Sequence, residues 1–249
     1  CVMEFRQYLG EIEKFLQQYL INARAKGYVL GVSGGIDSAL VAALTTKAVG
    51  RDKLFALLMP IDSHPSDLQD GLELCQKFDI PHRVIDLSEP YHTLIKNFAF
   101  ADDEAAKLAL HNTKVRLRMV TLYAYAQSRG ALVLGTDNAD EIHVGYFTKY
   151  GDGAADLAPI AELTKGEVYL ASKILGVPES ILKRTPTAGL FSGQTDEGEL
   201  GVTYAELDDY LLGRKVDQKV AERIQYLHRI SEHKRQPIPR PIKYARNND

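Results

Sequence analysis

Residues 28–44 read YVLGVSGGIDSALVAAL. A run of β-type residues stops at Ser33-Gly34-Gly35, passes one acid, Asp37, and becomes a helix-type pattern. Two glycines let a backbone turn sharply and come close to a ligand. The N–H groups that follow, and a helix N-terminus, favour an anion. Ser33 and Ser38 can add hydroxyl donors. The stretch has neither the Gly-Lys-Ser/Thr of a Walker loop nor a G-x-G-x-x-G. Asp37 is the discriminating residue. A carboxylate beside a phosphate cradle repels the ligand unless a cation lies between them, and Mg²⁺ accepts oxygens from both. A bare G-G-x-D is most often a tight turn with a capping acid. S-G-G-I-D-S between a buried strand and a helix points instead to phosphate chemistry.

A second run, VLGTDNADEIHVGYFTKYGDGAADLAPIAELTKGEV, covers 133–168. Glu141 follows a strand-like stretch and could complete a Mg²⁺ site with Asp37. On its own it would read as a solvated acid at a helix start. The company of Tyr146, Phe147, Thr148, Lys149, Tyr150, Gly151, Asp152, Gly153 and Asp156 argues for more. An aromatic can lie on a flat ring, and an Asp can accept from ribose hydroxyls.

These groups need elements to position them. Apolar residues at helical spacing (Phe5, Leu9, Ile12, Phe15, Leu16, Tyr19, Leu20) predict a helix over 3–25. Strands are expected at YVLGV (28–32), LFALLMP (54–60), HRVIDL (82–87) and ALVLGT (131–136). Helices are expected at 38–49, from Pro65 to about Phe78, and over roughly 102–128. Residues 145–162 show no period. Helical patterns return near 164–175, 178–183, 203–212 and 216–233. The alternation predicts an α/β fold: an open, doubly wound, mostly parallel sheet with helices on both faces. In such sheets ligands sit at the carboxyl ends of the strands, so Asp37 and Glu141 are expected on one side.

The chain has 249 residues, enough for one large domain, and its formal net charge is −3. No overall basic field is present for nucleic acid, so an anionic ligand must be held by local groups. The two cysteines, Cys1 and Cys75, form no disulfide or metal pattern. No apolar run of about 18 residues occurs. A soluble cytoplasmic protein is expected, with no membrane partner.

Six stretches occur in order: SGGIDS, GTDNADE…GYFTKYGDGAAD, LTKGEV, RTPTAGL, DEGELGVTYAELDDYL and EHKRQPIP. The loop SGGIDS resembles that of the ATP pyrophosphatase superfamily. The whole set resembles NAD synthetase in its ammonia-using form, from Phe5 to about Pro239. The resemblance implies an adenine nucleotide alpha hydrolase-like fold, a ligase activity and a homodimer. It implies ATP, deamido-NAD and ammonia as substrates, with Mg²⁺ as cofactor. It places the ATP phosphates on Gly31, Val32, Ser33, Gly34, Gly35, Ile36, Asp37 and Ser38. Thr136, Lys165 and Thr187 match ATP contacts, with Asp37 and Lys165 in the chemistry and Asp37 and Glu141 on the metal. Arg116, Lys149, Asp156, His233 and Lys234 match positions that hold deamido-NAD. The residue types suit these roles: Arg116 and Lys234 can hold a pyrophosphate, and Lys165 can neutralise charge on a leaving one. His111 and His228 match nothing functional and are expected to be structural.

One domain over 1–249 is expected, with a mobile flap at 188–204 and an extended tail at 236–249. Glutamine-using relatives carry an extra hydrolase domain, for which 249 residues leave no room. An N-terminal glutaminase built on Cys1 is not expected, because it would have to fill most of the residues before the loop and only 32 precede Ser33. Rival readings are a tRNA-thiolating or GMP-forming pyrophosphatase and a non-catalytic nucleotide sensor. The first would be expected to show a basic face and catalytic cysteines. The second has no need of Asp37, Glu141 and Lys165 together. The apolar residues around Val115, Leu117, Met119, Val120, Leu122, Tyr123 and Tyr125 face more than one way, which favours a symmetric dimer.

Overall fold

A computed structural model describes residues 4–187 and 195–244 of the chain. In chain order the elements are α1 (Phe5–Asn22), β1 (Tyr28–Gly31), α2 (Ile36–Val49), β2 (Leu54–Leu58), α3 (Pro65–Lys77), β3 (His82–Val84), α4 (Ser88–Ile95), α5 (Glu104–Arg129), β4 (Leu132–Val133), α6 (Ala139–Val144), α7 (Lys165–Leu175), α8 (Glu179–Leu182), α9 (Asp196–Leu200), α10 (Tyr204–Leu211) and α11 (Gln218–Ile230).

The strands order as β3-β2-β1-β4 and all pair in parallel. The period of two along each strand divides its side chains between two cores. Tyr28, Leu30, Leu54, Ala56 and Leu58 face α1, α2 and α7. Val29, Leu57, Met59 and Val133 face α4 and α5. This is the expected parallel sheet with helices on both faces. α2 is buried on nearly every side, and its run of alanines lets neighbouring helices come close. A third apolar cluster (Val144, Leu200, Val202, Tyr204, Leu207, Ile224) binds α6, α9, α10 and α11 to one another beyond the sheet.

After β1 the chain winds outward to β2 and β3. It then crosses back to add β4 on the other side of β1. The crevice between β1 and β4 is therefore the switch point where open α/β sheets bind ligands. β4 has only two residues, fewer than the six expected. Its edge is completed by the loop at 155–157: Asp156 N donates to Val133 O at 2.9 Å and Gly135 N to Leu157 O at 2.8 Å.

Three helices go beyond the sequence expectation: α4, α6 and α9 have eight, six and five residues. Elements this short are held by caps and contacts rather than by an amphipathic period. Of the expected flap, 188–194 lies outside the described residues. The remainder is not loose chain: it contains α9, with Leu200, Val202 and Tyr204 buried. Residues 236–244 carry no helix or strand and are exposed, as a tail would be, and 245–249 lie outside the described residues. Among the described residues no helix is long and apolar enough to cross a membrane.

Candidate active site

The glycine loop follows β1 directly, and Val32 N still donates to Leu57 O. Gly34 has φ +85°, and a Cβ on it would sit 2.5 Å from Asp67 O. Only glycine tolerates both the angle and the approach. The serines brace the loop from inside. Gly35 N donates to Ser33 Oγ and Ser33 N to Ser38 Oγ, each at 3.2 Å, and Ser38 Oγ donates to Gly35 O. Ser38 is buried, and its hydroxyl is engaged with the loop itself. Gly31, Val32 and Ile36 are the backbone frame of this turn.

Asp37 stands in the first turn of α2. Its Oδ1 accepts from Asn138 Nδ2 at 2.8 Å and its Oδ2 from Lys165 Nζ at 2.5 Å. Asn138 is wholly buried and caps α6: its Oδ1 accepts from Glu141 N, while Glu141 Oε2 accepts from Asn138 N. This reciprocal cap fixes Glu141, whose Oε1 lies 3.6 Å from Lys165 Nζ. Lys165 opens α7 with 3% of its side chain exposed. The structure therefore brings Asp37, Glu141 and Lys165 to one point across the switch crevice.

Tyr204 closes the cluster. Its ring lies 4.8 Å from Lys165 Nζ, and its hydroxyl donates to Asp196 Oδ2 at 2.8 Å. Tyr146 donates to the other oxygen of Asp196 and to Glu199. Burial alone would lower the pKa of Lys165, but Asp37 and Glu141 hold it above the ordinary lysine value. Burial, then the charge of Asp37, pushes Glu141 up to about 8, with Lys165 opposing. Asp137 is pushed well above the carboxylate range by burial and then by Asp152, Glu141 and Asp37. Carboxyl groups thus outnumber ammonium groups at this point, and an added cation would favour their charged forms.

A basic edge lies at the far end of α6. Arg116, exposed on α5, donates through Nε and Nη2 to Lys149 O, both at 3.1 Å. Lys149 Nζ is 3.3 Å from His233 Nδ1 and 5.4 Å from the Tyr150 ring centroid. Lys234 Nζ donates to Gly145 O at 2.7 Å and Phe147 O at 2.6 Å. Arg116, Lys149, His233 and Lys234 are therefore neighbours, as expected. Lys234 also pins the loop that leaves α6. Asp156 Oδ2 accepts from Val133 N at 2.7 Å and stitches the edge of β4. Thr136 lies on the loop after β4, and Thr187 is exposed at the end of the first described segment.

Asn138, Asp140, Asp196 and Tyr204 were not anticipated, and Tyr146, singled out with its neighbours, was not expected to bond Asp196. The N-x-x-E spacing of Asn138 and Glu141 could have shown the cap. Nothing local marks the others, whose contacts span from 8 to more than 50 residues of chain.

A parallel sheet with a glycine loop and acids at its switch point, facing a basic edge, defines a nucleotide-dependent group-transfer enzyme. The family model described as NAD synthase matches residues 8–238, and the chain belongs to that family. It is 46% identical over 244 residues to an NH(3)-dependent NAD(+) synthetase of Mesoplasma florum, covering 98% of this chain and 100% of that one. A structure of NMN synthetase from Francisella tularensis superposes with a TM-score of 0.90 at 42% identity, covering 96% of this chain and 99% of that one. An NH3-dependent NAD synthetase from Campylobacter jejuni superposes at 0.80 with 31% identity, covering 97% and 100%.

Proposed function

We propose that this site amidates deamido-NAD with ammonia at the expense of ATP, in two steps on one surface. The enzyme is a ligase that forms a carbon–nitrogen bond and yields NAD, AMP and pyrophosphate. In the first step a nicotinate carboxylate oxygen attacks the α-phosphorus of ATP. The bond to the bridging oxygen breaks, and pyrophosphate leaves. In the second step ammonia attacks the acyl carbon, the carbon–oxygen bond to AMP breaks, and the nitrogen sheds a proton. No protein nucleophile is needed, so catalysis rests on alignment and charge neutralisation.

The observation that carries the reading is Lys165, buried between Asp37 and Glu141 beside the glycine loop. The loop N–H groups hold phosphates, and Lys165 neutralises the departing pyrophosphate. Arg116, Lys149, His233 and Lys234 hold the dinucleotide. The donor set fits Mg²⁺. Asp37 and Glu141 are hard oxygen donors in the first turns of α2 and α6, in a centre already over-supplied with carboxyl groups. Among the described residues no three His, Cys, Asp or Glu side chains form a metal cage. Mg²⁺ takes one or two carboxylates and completes its shell with phosphates and water. When bound, it would screen phosphate charge from Asp37 and Glu141. A homodimer and a cytoplasmic setting complete the reading.

The test is to mix the chain with ATP, Mg²⁺, deamido-NAD and ammonium. NAD, AMP and pyrophosphate are expected in equal amounts. Release of ADP and phosphate instead would sink the reading. The likeness to an NMN synthetase favours a second substrate, nicotinate mononucleotide, whose reacting ring is the same. Competition between the two nicotinates in one tube ranks them by kcat/KM.

A further inference from the structure

The first turn of α7 starts with Lys165, and its backbone N–H groups have no partners within the helix. Thr164 Oγ1 accepts one of them, from Glu167. The other two go to acids on different helices. Lys165 N donates to Asp140 Oδ2 at 2.9 Å, and Gly166 N donates to Asp208 Oδ2 at 2.9 Å. The second oxygens, Asp140 Oδ1 and Asp208 Oδ1, are both buried with no donor group on them among the described residues, and the two carboxyls lie within side-chain hydrogen-bond reach of each other.

The placement of these acids is informative. Asp140 is next to Glu141 on α6. Asp208 lies four residues after Tyr204 on α10, so the two share a helix face. Each of the three helices thus carries one member of the catalytic cluster and one member of this junction: Glu141 with Asp140, Lys165 with Gly166, Tyr204 with Asp208. A Cβ on Gly166 would lie 2.4 Å from Asp208 Oδ2, so a glycine is needed for the carboxyl to reach the helix start.

We propose that Asp140 and Asp208 are positioning residues that clamp the start of α7 and so set Lys165 against Asp37 and Glu141. Neither touches substrate; both act through Lys165. The proposal rests on the reading above, in which Lys165 takes part in the chemistry. Its physical basis is that a displacement of about 1 Å in an aligned site costs on the order of 10²-fold in rate.

Asp208→Asn and Asp208→Ala separate the clamp from bulk stability. Asn keeps an oxygen for Gly166 N and offers an N–H to Asp140 Oδ1, whereas Ala removes the acceptor. The expected result is a kcat for Asp208→Ala lower by about tenfold or more, with KM for ATP changed by less than about threefold. Asp208→Asn is expected to retain most of the turnover. Hydrogen exchange at the Lys165 and Gly166 amides is read in parallel, because it needs no activity. Both amides should be protected in the wild type and in Asp208→Asn, and should exchange faster in Asp208→Ala. If Asp208→Ala does not fold, Gly166→Ala decides, since its methyl pushes the Asp208 carboxyl away with every charge retained. A wild-type kcat in whichever of these two variants folds, or unchanged exchange at both amides, overturns the clamp. A wild type that makes no NAD, yet loses amide protection in the variants, would refute the activity and leave the clamp standing.

Discussion

Lys165 sits where two carboxylates already compete for one ammonium, so single changes at this point separate charge from size. Asp37→Asn keeps the volume and the contact with Asn138 but removes the charge facing Lys165 and the cation. Activity should fall by about two orders of magnitude or more, while the circular dichroism spectrum stays native. Near-normal turnover would remove Asp37 from the mechanism. Lys165→Met fills the same space and leaves Asp37 and Glu141 without their shared cation. Breaking a buried pair this way costs about 3–5 kcal/mol. The variant should melt below the wild type, and Mg²⁺ should raise its Tm more than it raises that of the wild type. Equal Mg²⁺ shifts would show that the two carboxylates do not receive the metal. Asp37, Glu141 and Lys165 were legible in the sequence because each lies in a local pattern: a glycine loop, a helix start after a strand, and the LTKGEV stretch. Tyr204, Asp196 and Asp140 were not. A tyrosine or an acid in a helix has no local mark until the fold brings it beside the others.

The elements that carry these residues make their own demands. Gly34→Ala would force a methyl into Asp67 O at an angle that side chains rarely adopt. The loop would have to shift, ATP affinity measured by calorimetry should drop by tenfold or more, and the strain should lower the melting temperature as well. Unchanged ATP affinity would mean that the phosphates do not lie on this turn. On α5, His111 is held down to about 4 by burial, then by the charges of Arg118 and Lys114. Its folded value lies below the ordinary 6.5, so its contribution to stability is full above about pH 6.5. That contribution is lost as the pH falls towards 4. His111→Gln should therefore shrink the difference in urea-unfolding free energy between pH 7 and pH 5. An unchanged difference would mean that His111 is already charged in the folded protein. The long elements were legible because periods of two and 3.6 persist over enough residues. The two-residue β4 and the helices α4, α6 and α9 are too short to show a period, and tertiary bonds hold them.

At the scale of the whole molecule, α5 is the element on which the proposed dimer can be tested. It covers one face of the sheet over 26 residues, yet only Ala126 on it is fully buried. Arg116, Val120 and Ala124 lie four residues apart and all are exposed, with Val120 at 57%. Arg116 reaches Lys149 at the basic edge of the site. A surface that joins an uncovered apolar side chain to Arg116 would suit the proposed symmetric dimer, with the same helix serving both copies. In the proposed dimer, a two-fold contact through this face would bury Val120 against its own counterpart or a near neighbour. A carboxylate there meets a like charge as well as a desolvation penalty. Sedimentation equilibrium at micromolar concentration should give twice the chain mass for the wild type and the single mass for Val120→Glu. If the dimer orders the dinucleotide end, Val120→Glu should raise KM for deamido-NAD more than KM for ATP. A wild type that sediments as a monomer while turning over deamido-NAD at full rate would place the whole reaction within one chain.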